Sequence, residues 1–181
     1  MWISPNTDFQ SFQLDELFWF VKFKPHTQTH ENIYITLMIS ANPRQIVGYA
    51  VEYSKTETVF QRVVDSAPAA EVYHTDGNVT YLAVIFPGRH NRNAFDKSDT
   101  HDVESVNADL RTYIAGLRRR SRCFFRSIET IQAVMSVFVN AYNKFGHMKQ
   151  KCAVAVKHRN DPTGRHLHKT RDFMQVPKDF L

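Results

Sequence analysis

Three acidic residues stand where the sequence predicts changes in secondary structure. Asp15 lies within an apolar, aromatic-rich segment at 12–23, FQLDELFWFVKF. Asp76 directly follows a strand-like segment at 71–75, and Glu104 lies near the start of a segment with helical periodicity. A buried carboxylate is costly unless it is protonated, paired or bound to metal, and proteins hold Mg²⁺ with a few carboxylates together with substrate phosphate. If the fold brings the three residues together, they predict metal-assisted chemistry on a phosphodiester.

The segment at 101–122 is predicted to form one helix, with Thr100 as its N-cap. Asn107 and Arg111 follow Glu104 at i+3 and i+7, so the three polar groups share one flank of the helix. Cations bind DNA phosphates, and the helix runs into an arginine cluster, so this flank predicts a DNA-binding surface. The apolar stripe comprises Val103, Val106, Leu110, Ile114 and Leu117, and the cluster comprises Arg118, Arg119, Arg120 and Arg122.

Each acid also has a structural explanation that involves no chemistry. Asp15, with its neighbour Glu16, would face water if its strand lay at the edge of the sheet. Asp76 would cap the helix that follows it. Glu104 would lie on the solvated face of an amphipathic helix. A metal site requires the three acids to lie close together in the fold, whereas these structural explanations do not.

The rest of the pattern predicts an α/β domain. Short polar links between the first three strands favour an antiparallel meander, and a strand–helix–strand crossover makes the fourth strand parallel to the sheet. This order is that of the ribonuclease H-like fold, a mixed five-stranded sheet flanked by helices. We expect a lead-in at 1–11, a catalytic domain at 12–146 and a basic C-terminal tail at 147–181, with Gly146 ending the last helix. The predicted elements are strands at 12–23, 33–39, 46–53, 71–75 and 89–95, and helices at 56–67, 78–86, 101–122 and 127–145.

Composition permits a nucleic-acid partner without requiring one. The chain of 181 residues has a net charge of +5, and its basic residues concentrate after position 110. The two cysteines, Cys123 and Cys152, form no CxxC pair, which argues against a zinc ribbon and favours a reducing compartment. Neither a secretory signal nor an apolar run long enough to cross a bilayer is present in the sequence. A cytoplasmic, nucleoid-associated protein without membrane contact is therefore expected.

Three local blocks of the sequence carry a family resemblance. They are LDELFWFV at 14–21, YHTDGNVTY at 73–81 and DVESVNADLRTYIAGLRRRSRCFFRSIE at 102–129. The sequence resembles the catalytic domain of bacterial insertion-sequence transposases of the DDE superfamily, of the insertion-sequence-one type. The third block is the most specific, with a Glu, an Asn, Leu-Arg, a basic cluster, an aromatic-rich turn and a Ser followed by an apolar residue and Glu. The resemblance extends over about 12–145.

The resemblance implies a site and an activity. Asp15, Asp76 and Glu104 would be the catalytic carboxylates that bind two Mg²⁺ ions, for which Mn²⁺ could substitute. Asn107 and Arg111 match the helix positions that follow the Glu and would contact the DNA end. Double-stranded DNA, both as transposon ends and as target, would be cleaved and joined in strand transfer, and the active form would be a homo-oligomer.

The resemblance also leaves alternatives open. Family members carry an N-terminal zinc-binding and helix-turn-helix region, sometimes in a separate reading frame, whereas this chain begins close to Asp15. We therefore expect a separate or fused N-terminal DNA-binding region. One alternative is an inactive or truncated fragment that acts as a DNA-binding regulator, and another is a ribonuclease H-like nuclease. A metal site in the tail is disfavoured because its candidate ligands are irregularly spaced; these are Cys152, His158, His166 and His168.

Overall fold

The computed structural model describes residue 3 and residues 9–22, 30–93, 100–118 and 123–157, and for 22, 30 and 146–157 the backbone alone. These residues form an α/β arrangement with a five-stranded mixed sheet flanked by helices. The strands are β1 (Ser11–Lys22), β2 (His30–Ala41), β3 (Arg44–Glu52), β4 (Val72–Thr75) and β5 (Arg89–Arg92). The helices are α1 (Glu57–Asp65), α2 (His101–Tyr113) and α3 (Ile128–Lys157), with 3₁₀ helices at Val79–Ala83 and Ala115–Leu117.

The sheet has the strand order β3-β2-β1-β4-β5. β1, β2 and β3 form the predicted antiparallel meander, and β4 lies parallel to both β1 and β5. The predicted crossover is thus confirmed, and the arrangement is compatible with the expected ribonuclease H-like order. β1 lies in the centre of the sheet, so the explanation of Asp15 and Glu16 as residues of an edge strand is wrong.

Each face of the sheet buries its own apolar cluster. Successive side chains of a strand point to opposite faces, so Leu14 and Leu17 of β1 belong to different clusters. Leu17 packs on the face covered by α2 and α3, and Leu14 on the face covered by α1 and the 3₁₀ helix Val79–Ala83. β1 therefore meets helices on both faces, which explains why apolar residues occur in both of its alternating sets.

The predicted helix at 101–122 is shorter in the structure. α2 ends at Tyr113, and Ile114 adopts an extended conformation before the short 3₁₀ turn. Gly116 lies against the Phe125 ring, where an added Cβ would come within 2.4 Å of a ring carbon. Ile114 and Leu117 still join the core beside α3, so their burial, together with the close approach of the ring, overrides the helical periodicity.

The last helix is longer than predicted. α3 continues through Gly146 to Lys157, because one glycine in a helix costs only about 1 kcal/mol relative to alanine and good helix formers follow it in the sequence. The first part of the predicted tail is therefore helical, and 158–181 lie outside the described residues. Within the described part of the chain, no helix combines the length and apolar character needed to cross a membrane.

An asparagine of α3 completes the outer edge of the sheet. Asn143 is 3 % exposed; its Oδ1 accepts from Ile46 N at 2.8 Å, and its Nδ2 donates to Ile46 O at 2.9 Å. Ile46 belongs to β3, the edge strand, and lies next to a bulge in the pairing with β2. The buried backbone groups of an edge strand need a partner, and the Asn143 amide supplies it.

Asn143→Leu should lower the free energy of unfolding by about 2–4 kcal/mol, because it leaves a buried N–H and a buried C=O unpaired. Urea unfolding at neutral pH measures the change. Asn140→Leu is the control on the same helix, since Asn140 is exposed and its Nδ2 donates to Ser136 O within the helix; it should cost under about 0.5 kcal/mol. Equal losses in the two variants would show that the edge contact contributes nothing.

Candidate metal centre

Two of the predicted acids lie side by side because of the strand register. In the parallel ladder of β1 and β4, Leu14 is paired with Thr75. Asp15 and Asp76 are the next residues along their respective chains, so the register brings them together at the carboxyl end of β4. Ligands of open α/β sheets bind at such ends, which makes this edge the candidate functional site.

A third carboxylate joins the pair. Asp15, Glu16 and Asp76 each offer a carboxylate oxygen, and these atoms lie within 4.8 Å of one another. All three residues are partly buried. Hard oxygen donors at this spacing could together hold a metal ion.

The turn after β4 holds two of the carboxylates. Asn78 N donates to Asp76 Oδ1 at 2.9 Å, and Asn78 Nδ2 donates to Glu16 Oε1 at 3.2 Å. Asn78 Oδ1 also accepts from Thr80 N at 3.1 Å, which caps the 3₁₀ helix Val79–Ala83. Asn78, and not Asp76, therefore caps the helix that follows β4, so the explanation of Asp76 as a helix cap is wrong. Asp76 accepts a hydrogen bond within the turn, and the same turn connects it to Glu16.

The helix α2 contacts the cluster through Asn107. Asn107 is 5 % exposed, and its Nδ2 donates to Asp15 Oδ2 at 2.8 Å. This residue of the third sequence block therefore belongs to the site itself. A contact of Asn107 with DNA stays a prediction.

Glu104 is exposed on α2 and is not one of the three clustered carboxylates. Its negative charge nevertheless contributes to raising the pKa of Asp15. Arg111 is partly buried on the same helix. Arg118 is exposed, and its guanidinium donates to Thr112 O at 2.9 Å. The other predicted DNA-binding residues, Arg119, Arg120 and Arg122, lie outside the described residues.

The cluster carries an electrostatic cost. Burial, and then the charges of Asp76 and Glu104, raise the pKa of Asp15 from 3.8 to about 6. Burial, and then the charges of Asp76 and Asp15, raise the pKa of Glu16 from 4.5 to about 7. Burial beside these acids, chiefly Glu16, also raises the pKa of the Tyr81 hydroxyl well above 10. A bound cation would relieve the repulsion among the carboxylates.

Glu16, Asn78 and Arg92 contact this site but were not among the site residues predicted from the sequence. Glu16 had a usable signal, since it is a second acid inside an apolar strand. Asn78 and Arg92 had none: the Arg92 guanidinium donates to Gly77 O beside Asp76, a contact that depends on the pairing of two strands of four residues each. Arg92 brings a cation to the rim of an acidic cluster.

A scan against protein-family models found no matching family, and a search of the curated proteins found no match.

The metal-free protein should lose stability as the pH rises. The folded pKa values of Asp15 and Glu16, about 6 and about 7, lie above their ordinary values. The folded state therefore binds more protons than the unfolded chain between about pH 4 and pH 7, and the free energy of unfolding falls across that window. At about 1.4 kcal/mol per pKa unit, the two raised pKa values together correspond to a fall of roughly 6 kcal/mol in the free energy of unfolding.

Urea unfolding in EDTA at several pH values measures this dependence. Glu16→Gln should make the decrease shallower, because it removes one of the two titrating groups. Glu71→Gln, at an exposed position before β4, is the control and should keep the wild-type slope. An unchanged slope in Glu16→Gln would contradict the assignment.

Proposed function

We propose that this chain is the catalytic domain of a DDE-superfamily transposase with a ribonuclease H-like fold, which cleaves DNA strands and transfers them to a target with a divalent metal ion. One observation carries the proposal: the three blocks that resemble the family meet at one site. Asp15 of the first block and Asp76 of the second are adjacent through the strand register. Asn107 of the third block donates to Asp15. Residues so far apart in sequence have no structural need to converge on a repulsive cluster.

The residues present fit a hard divalent cation. We assign Asp15, Glu16 and Asp76 to one Mg²⁺ ion, and Glu104 with Asp15 to the second ion that the resemblance implies; Mn²⁺ would substitute for either. When bound, such ions stabilise the charge on the attacking and leaving oxygens of a phosphodiester. The mutual repulsion of the carboxylates supports the assignment, because it is a cost that a cation removes.

The chain's own residues would orient the ligands and hold the DNA. Asn107 fixes Asp15, and Asn78 fixes Asp76 together with Glu16. Arg92 at the rim of the cluster and the exposed Arg118 would contact phosphates. These contacts are independent of base sequence, so recognition of transposon ends would need an N-terminal DNA-binding region, separate or fused. We further propose that the active form is a homo-oligomer and that it acts on DNA in the cytoplasm, at the nucleoid.

Asp76→Asn should reduce Mn²⁺-dependent nicking of supercoiled plasmid by at least about a hundredfold, because a neutral amide replaces a metal-binding carboxylate. Gel analysis of the plasmid measures the rate. Asp65→Asn, on the exposed face of α1, is the control and should nick at the wild-type rate. Wild-type nicking by Asp76→Asn would refute the site.

Two further assays distinguish the alternatives. Cleavage of an RNA–DNA hybrid without nicking of DNA would favour a ribonuclease H-like nuclease. DNA binding without cleavage by the wild-type chain fused to a DNA-binding region would favour an inactive fragment that acts as a regulator.

Glu16→Gln should weaken Mn²⁺ binding without DNA by about tenfold, whereas Glu104→Gln should weaken it less than about threefold. The reason is that the Glu16 carboxylate already lies with Asp15 and Asp76, whereas Glu104 is exposed on α2. Calorimetric titration measures both affinities, with Glu71→Gln as the control. The reverse order of effects would make Glu104 the third ligand of the first ion and remove Glu16 from it.

A further inference from the structure

The first turn of α2 is capped by a residue of β1. The N-cap residue Thr100 forms no side-chain capping hydrogen bond. Instead, Gln13 Oε1 accepts from the backbone N–H groups of Asp102 and Val103, both at 3.1 Å. Gln13 Nε2 donates to Asp102 Oδ2 at 3.2 Å. Because the first N–H groups of a helix lack partners within it, the Gln13 amide fixes where α2 begins on the sheet.

The spacing of these contacts connects Gln13 to the metal centre. Gln13 and Asp15 are two residues apart on one face of β1, roughly 7 Å along the strand. Val103 and Asn107 are four residues apart on α2, roughly 6 Å along the helix. These two distances are nearly equal. A helix whose first turn is held at Val103 therefore brings Asn107 over Asp15, where the hydrogen bond of 2.8 Å forms. A shift of α2 by one residue would rotate Asn107 by about 100° away from Asp15.

Polar contacts and apolar packing favour the same register. Val106 and Leu110 bury α2 against the sheet, so a shift of one residue would also rotate them off the core, and the Gln13 contacts add a fixed point at the first turn of the helix. Gln13 is 6 % exposed, so water is a poor substitute for its hydrogen bonds. Arg44 of β3 adds a second contact at the same turn, as its guanidinium donates to Asp102 O at 3.3 Å.

We propose that Gln13 is a positioning residue of the metal centre: by fixing the register of α2 on β1, it holds Asn107 on Asp15 and orients that carboxylate for a divalent cation. The cation-binding part rests on the proposed function. The register part is independent of it and can be measured in metal-free protein.

Gln13→Leu keeps the approximate side-chain volume and removes all three hydrogen bonds. In metal-free protein, the NMR resonances of the Asn107 side-chain amide should move, because its hydrogen bond to Asp15 is lost. In Mn²⁺ titrations by calorimetry, Kd should rise about tenfold, because Asp15 loses its hydrogen bond from Asn107 and the loss of such partners of metal ligands weakens binding by about that factor. Gln132→Leu is the matched control, since Gln132 Nε2 donates to Val51 O at 3.1 Å on another helix; it should change neither result.

A double-mutant cycle distinguishes positioning from a general loss of stability. Asn107→Leu should raise the Kd for Mn²⁺ by a similar factor, and adding Gln13→Leu to it should change the Kd by less than about twofold. Additive effects, or an unmoved Asn107 resonance in Gln13→Leu, would overturn the proposal.

Two further outcomes are also decisive. If the wild type binds no Mn²⁺, the proposed metal centre and the cation-binding part of this inference both fail, while the Asn107 resonance still decides whether Gln13 sets the register. If Gln13→Leu does not fold, Gln13→Asn takes its place. It keeps an amide that is one methylene too short to reach α2, and the same results are expected.

Discussion

The parallel pairing of β1 with β4 is the constraint on which the candidate site depends. It places Asp15 beside Asp76, and their position is well defined because strand register is fixed by a ladder of hydrogen bonds and by burial on both faces. A slip of one residue would turn Leu14 and the alternating apolar side chains of β1 toward the wrong helices. The packing energy of the two apolar clusters therefore also maintains the position of the acids.

Burying like charges works against this packing, and the structure offsets part of the cost with amides. Asn107 approaches the cluster from α2, and Asn78 approaches it from the turn after β4. An amide donates to a carboxylate without adding charge, so it stabilises the ionised form while leaving room for a cation to complete the neutralisation. A lysine or arginine in either position would have formed an internal ion pair and competed with metal. The amides at these two positions are thus compatible with a site that binds a cation from solution.

The sequence predicted the parts of this fold that depend on local periodicity and chain order. The meander and the crossover followed from strand patterns and connection lengths. The adjacency of Asp15 and Asp76 was expected only if the fold brought them together, and the register of β1 on β4 does so. The ends of α2 and α3 could not be predicted, because the contact of Gly116 with Phe125 and the continuation of α3 past Gly146 depend on tertiary packing and on a weak propensity. The cap on α2 was missed for the same reason, since Gln13 is 89 positions from Asp102.

Glu16 is a residue of the acidic cluster that the family resemblance did not predict. The family blocks identify one acid in the first strand, and the neighbour of that acid is then easily attributed to the surface, since successive strand residues point to opposite faces. At the end of a parallel ladder, however, the chain that follows β4 turns across the sheet edge, and Asn78 connects the Glu16 side to the Asp76 side. Successive side chains are kept on opposite faces of the sheet only where the neighbouring strand continues alongside them. Beside the carboxyl end of β4, two successive acids of β1 can therefore contribute to the same site, and ligands of open α/β sheets bind at such ends.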